Sequence, residues 1–436
     1  VGVIMNAGEQ PVYQRIVKKI LTDFGLPRII ILSLFVLLFV LAGIFSMDLP
    51  SFFGDVLRRW GMFGILVLAM VPGIQSGIGP NFGVTVGITG GLLGAVLSME
   101  LRFRGWFDAF IIEPVTEVAY TTRAMSAAFT SEFLAVAYTA EYAAAARFIA
   151  PVVTQVHGHD AYGLPFVVTH VTAPMVNVMG LAIIAAAILI GGVLATGMGV
   201  LYGMLLNRVK GSEMAVSVYV GFSAVAVFNI VWALIPVRNS IMILPATGRG
   251  LRQMINLQDD FGGAFDNLFS FTIGTFTMRT GLLLVFFVFC LLMWVFTKSR
   301  LGMMMSAAGS NPSYARASGI NVEKMRILGT AISTALGAIG IVVFAQSFGF
   351  LQMYNAPLMM GFTTVASVLI GGATVKRARV FDVLLGAFLF NGILTIALPL
   401  ANVMLPDVAG VPEMLRLIIT NGIILYALTK VKGDAR

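Results

Sequence analysis

Residues 302–340 read "GMMMSAAGSNPSYARASGINVEKMRILGTAISTALGAIG". The second half is apolar and glycine-rich, and a bilayer-crossing helix takes roughly 20 such residues. The first half contains "GSNPSYARASGIN" (309–321), a short polar-and-alanine stretch with its own start and stop signals. Asn311 before Pro312 starts a helix, because asparagine caps and proline is preformed for the first helical position. Gly319 stops it in the left-handed conformation. Asn321, with Glu323 in the first turn, starts the next helix. The two-turn helix over Pro312–Ser318 is marginal alone and requires docking to be stable. Spacing leaves two readings open: a well-capped connector, or a docking element for another subunit.

The flanks decide the fold class. The chain has 436 residues, 58% hydrophobic and only 11% charged, against about 25% charged in a soluble domain. The expectation is an all-α polytopic membrane protein with about ten transmembrane helices. Candidate spans are 29–48, 59–78, 82–101, 174–206, 214–236, 279–298, 325–345, 358–375, 380–400 and 412–429. The fourth is over-long and is expected to tilt or break near Gly191–Gly203. The first is long enough to span and lacks a small-residue cleavage site, so it is expected to be retained. The single cysteine, Cys290, excludes an intrachain disulfide.

Orientation follows from the basic residues. With the amino terminus inside and the spans alternating, the inner side holds Arg15, Lys18, Lys19, Arg28, Arg208, Lys210, Lys298, Arg300, Arg316, Lys324, Arg326, Lys376, Arg377, Arg379, Lys430, Lys432 and Arg436, which is 17 of 28. The reading is N-in and C-in, with Arg102 and Arg104 left outside. The net charge of +8 therefore calls for no nucleic acid. The organisation is a cytoplasmic segment over 1–28, three spans over 29–101, an insert over 102–173 and the remaining spans over 174–436. The insert carries Glu113, Glu117, Arg123, Glu132, Glu141 and Arg147 among alanines and reads as amphipathic helices, external or interfacial. Loop 237–278 is external and 299–324 cytoplasmic.

A second stretch bears on function: "SGIGPNFGVTVGITGG" (76–91). Gly83, Gly87 and Gly91 form a double G-x-x-x-G for close helix packing. Gly77, Gly79 and Pro80 are expected to break the helix near 77–83. A broken helix is tolerated at depth only inside protein or beside a water-filled cavity. Asn81 would cap the second half. Gln75, Asn81 and Thr85 flank the break and Asn229 sits in a neighbouring span, so these four are the pathway candidates; the plain alternative for each is an interhelical hydrogen bond. Glu213 reads as a first-turn glutamate. Almost no ionisable residue lies between span ends, whereas ion-coupled carriers often place carboxylates or histidines there. No P-loop is present. His157, His159 and His170 lack metal-site spacing, and "DDFGGAFD" (259–266), faintly similar to the acidic magnesium motifs of membrane prenyltransferases, falls on the outer side, away from cytosolic pyrophosphates, so no metal or cofactor is expected. No G-x-S-x-G, H-E-x-x-H or paired intramembrane aspartates point to an enzyme.

Gly302, Ala307, Gly309, Asn311, Pro312, Ala315, Gly319, Ile320 and Val322 follow the pattern G-x-x-x-x-A-x-G-x-N-P-x-A-A-x-x-x-G-I-x-V, with Tyr314 replacing the first paired alanine. This region, and "VASVLIGGATVKRARVFDVLLGAFLFNGIL" after it, resembles the permease family serving branched-chain amino acid, simple-sugar and nucleoside ABC importers. The resemblance implies that the small helix is a coupling helix seated in an ATPase groove, involving Gly309, Asn311, Pro312, Tyr314, Ala315, Arg316, Gly319 and Glu323. It implies separate ATP-binding cassette ATPase subunits, an extracytoplasmic solute-binding protein, and a second permease copy or paralogue in a bacterial cytoplasmic (inner) membrane. In sugar-type relatives the region at 77–83 resembles G-I-D-L-S-V-G, with Gly79 standing where the Asp would be; Asn81–Phe82–Gly83 is more similar to the N-I-G of nucleoside-type relatives. A pathway of small, uncharged polar and aromatic groups suits a neutral sugar or nucleoside. The alternative is an ATP-independent channel or carrier.

Overall fold

The computed structural model describes residues 26–107, 152–159, 165–172 and 178–404, apart from Lys210, Ala246 and Asp259, together with a few isolated positions beyond 404. In chain order the helices are α1 (Leu26–Ile44), α2 (Leu49–Leu68), α3 (Met70–Gln75), α4 (Val84–Phe103), α5 (Val178–Arg208), α6 (Glu213–Leu234), α7 (Ala264–Asn267), α8 (Thr280–Lys298), α9 (Arg300–Ser310), α10 (Pro312–Ala317), α11 (Val322–Phe348), α12 (Asn355–Ile370) and α13 (Val380–Met404). Among the described residues, seven stretches are long and apolar enough to cross a membrane, α2 and α3 counting as one; α1 and α12 are shorter apolar helices. Nine of the ten expected spans thus correspond to helices; 412–429 lies almost wholly outside the described residues, as do residues 1–25.

Three details differ from expectation. The second span begins at Leu49, ten residues before position 59, because Asp48 accepts the Ser51 N–H and Pro50 opens the first turn. The fourth span, α5, runs unbroken through Gly191–Gly203; there Gly191, Gly199 and Gly203 serve contact with neighbouring helices. Within the 102–173 insert, β1 (Val152–His159) and β2 (Pro165–Thr172) form an antiparallel hairpin in which Val156 faces Val168. There valine and threonine outweigh the alanine that suggested helix, and β-branched residues favour strands. Residues 108–151, most of the insert, lie outside the description.

Helices α4, α5 and α11 form the centre. Tetrads of small residues bring their backbones into contact: a Cβ on Gly91 would lie 2.7 Å from Ala338 Cα, one on Gly94 would lie 2.5 Å from Gly191 Cα, and one on Gly203 would lie 2.9 Å from Ile327 Cα. These contacts align α4 parallel to α11 and antiparallel to α5. Helix α2 runs beside α8, with Gly61 on Leu282 and Gly64 on Phe286. Helix α6 is held more lightly. Glu213 pairs with Arg326 at 2.6 Å, Gly221 meets Phe82 and Thr85, and the Trp232 carbonyl accepts the Leu251 N–H at 2.9 Å.

The bundle has two distinct ends. One carries α9, α10 and the start of α11, and there Arg28 stands 3.6 Å from Asp382. The other carries Asp260 and Asp266, both buried. Arg102 pairs with Asp260 there, so Arg102 falls on the side that alternation of spans assigns it. Glu100 accepts from Arg104 and from the Arg238 and Asn239 N–H groups. Small sheets finish this end: β3 (Met254–Asn256) pairs with β6 (Phe350–Gln352), and β4 (Phe271–Ile273) with β5 (Phe276–Met278).

Candidate functional site

The helix that enters at Leu49 ends at Gln75, and the chain becomes helical again only at Val84. The stop is a Schellman turn: Gly77, at φ +80°, gives its N–H to the Ile74 carbonyl, and Ile78 gives its N–H to Gly73. Gly79 is also left-handed, at φ +89°, and Pro80 offers no donor. Side-by-side packing sets the depth of the break. Ser76 fills the space beside Gly329, Val84 lies against Gly337, and both partners are well inside α11.

Asn81 organises this turn. Its Oδ1 accepts the Gly83 N–H at 2.9 Å and the Tyr202 hydroxyl at 2.8 Å, and its Nδ2 donates to Ser333 Oγ at 3.1 Å. The side chain is fully buried; it turns the chain at Gly83, one residue before α4, and binds α5 and α11 together. Tyr202→Phe should lower stability by about 1 kcal/mol, the net worth of one hydrogen bond. Asn81→Leu should cost about 3 kcal/mol, because it strands several buried partners at once. Thermal unfolding in detergent would rank the two variants; equal melting temperatures would contradict the network.

Thr85 donates to the Phe82 carbonyl at 3.0 Å. It lines a small recess with Phe82, Gly221, Phe222, Gly361 and Phe362. The Phe82 and Phe362 rings lie 5.2 Å apart. Val84, Thr85 and Val86 give their N–H groups to nearby carbonyls, so this helix start holds no spare donors for an anion. Gln75 donates to the Ala378 carbonyl, and its Oε1 is buried without a partner among the described residues. Asn229 lies two turns further along α6 than Gly221 and does not join this group; its Oδ1 is also unpartnered among the described residues. Three of the four pathway candidates therefore gather at the break.

The capped loop contains an additional helix. Ser299 accepts the Gly302 N–H and starts α9, a signal the sequence reading passed over. Asn311 Oδ1 accepts the Tyr314 N–H at 3.1 Å and starts α10. Gly319, at φ +81°, closes it with a second Schellman turn through Arg316 and Ala315. Asn321 accepts the Lys324 N–H and starts α11. Tyr314 and Arg316 are exposed, as are Asn311, Pro312, Gly319 and Glu323. Ala315 is buried against Ala308 and Val322, so this short helix spends one face on its own support. Gly309 is half-buried and lies outside this cluster. A Cβ there would lie 2.7 Å from Gly77 N and 2.9 Å from Gln75 C.

Residues 161–428 match the family described as branched-chain amino acid transport system, permease component. The chain is 29% identical over 157 residues to the nucleoside ABC transporter permease protein NupB of Lactococcus lactis, covering 35% of this chain and 40% of that one. It is 27% identical over 158 residues to the galactofuranose transporter permease protein YtfT of Escherichia coli, covering 35% and 46%. The alignments span less than half the length of these relatives. No solved structure matches. With most of the chain inside the match, and with multiple apolar helices around a broken one, this membrane protein belongs to the family of transport-system permease components.

Proposed function

We propose that the chain is the membrane-spanning subunit of a bacterial ABC importer that moves a small neutral polar solute, a simple sugar or a nucleoside. ATP would be hydrolysed by partner ATPases docked on α10. A solute-binding protein would deliver to the Asp266 end, and a second permease would complete the pathway. The observation that carries this reading is α10 itself. Six residues with a cap at each end present Tyr314, 69% exposed, and Arg316 to solvent, and Ala315 anchors them on the bundle. A mere connector has no use for an exposed aromatic beside a cation; a docking helix does. The recess beside Thr85, without charge or spare helix N–H groups, supports a neutral solute.

Arg316→Glu tests the docking. The side chain is exposed, so the membrane fold should remain unchanged. Assembly with the ATPases, or transport per ATP, should fall at least tenfold. Co-purification and reconstituted uptake would check this. Full assembly and uptake in the variant, or uptake by the isolated chain without ATP, would favour an ATP-independent carrier.

A further inference from the structure

The two unusual segments of this chain touch each other. Gly309 stands two residues before the cap of α10, and Gly77 stands at the stop of the broken helix, 232 positions earlier. A Cβ built on Gly77 would lie 2.8 Å from Gly309 Cα, and one on Gly309 would lie 2.7 Å from Gly77 N. Backbone therefore rests on backbone. A Cβ at either position would hold the two backbones apart; with glycine at both they touch. The contact is seated on both sides. Ala308 is locked against Ala315 and Val322 under α10. Ser76 is wedged at Gly329, and Gln75 is bonded to the Ala378 carbonyl. Beyond Gly77 the turn leads directly to Asn81 and its bonds to Tyr202 and Ser333.

We infer that Gly309 and Gly77 are positioning residues that pass displacement of α10 to the break at 76–83. This rests on the permease reading and adds the route to it. Gly309 then acts inward, on the break, and not on the ATPase surface.

The test uses the full complex purified with its ATPases. The N–H groups of Ser76, Gly77 and Ile78 are all hydrogen-bonded, so their hydrogen exchange reports opening of the turn. Exchange over 76–83 should change at least tenfold between the nucleotide-free and ATP–vanadate-trapped states. Gly309→Ala should shrink that change to under twofold while ATP hydrolysis and the response over 311–319 persist. A purely structural role would lower stability without separating the two responses. Wild-type 76–83 that ignores trapping, or a Gly309→Ala variant that keeps the full response, overturns the relay. If Gly309→Ala does not assemble, the wild-type comparison decides alone. A wild-type chain that carries no ATPase overturns the permease reading and the relay together; an ATPase-bearing complex with a silent 76–83 overturns only the relay.

Discussion

Asp266→Ala should destabilise the protein by on the order of 3 kcal/mol, the cost of leaving buried charge without its partner. The carboxylate is 1% exposed. It accepts from Arg58 Nε at 3.1 Å, Ser347 Oγ at 2.7 Å and Gln346 Nε2 at 3.2 Å, and pairs with Arg279 at 3.3 Å. These partners come from α2, α11 and the start of α8, so one side chain joins three helices. Arg58 also bonds the Ser347 carbonyl. Without the carboxylate the two guanidinium groups face one another. Burial, with Arg58 alongside, already lowers the pKa of Arg279 against the pull of Asp266. Both arginines keep some solvent contact, which limits the penalty. Asp266→Asn retains an acceptor and should fall between the wild type and the alanine variant. Thermal unfolding in detergent would give the order; an alanine variant as stable as the wild type would show that the cluster is decorative.

The second large effect belongs to Gly91. A side chain there meets Ala338 Cα at 2.7 Å and Ile341 Cγ2 at 2.5 Å. Backbone on two helices would have to move, so Gly91→Val should cost about 3 kcal/mol, the upper part of the range for overpacking. Gly192 supplies the control. It lies on α5, next to Gly191, and a Cβ there meets nothing within 4 Å. Gly192→Ala should be neutral or slightly stabilising, by up to about 1 kcal/mol, through helix propensity. Yield and melting temperature of the two variants would separate contact from composition. Equal behaviour would mean that the α4–α11 seam is looser than its distances state.

Local chemistry explains what was legible in the sequence. Apolar length located the spans. Asn311, Gly319 and Asn321 announced the small helix, because caps act within a few residues of themselves. Gly77, Gly79 and Pro80 announced the break for the same reason. What stayed hidden was pairing across the chain. Gly309 matched a pattern, but nothing near it in sequence points to Gly77. Asn81 was recognised as a cap, yet Tyr202, 121 positions away, is what encloses it. Gly191 and Gly203 suggested a break, because glycine marks both flexible and tightly packed places; only the opposing α4 and α11 backbones distinguish the two. Ala315 and Tyr314 are adjacent and both unremarkable for a helix, and the support beneath decides which is buried.

The glycine seams also set how the bundle responds to force. Where backbones touch, as among α4, α5 and α11, there is little soft material to compress, and the three helices behave as a stiff plate. Helix α6 is tethered near its ends, through Glu213–Arg326 and Trp232–Leu251, with Gly221 resting on the plate between them. It is a compliant strip on a rigid backing. Deformation of the bundle should therefore show first in α6, which forms one wall of the recess beside Thr85.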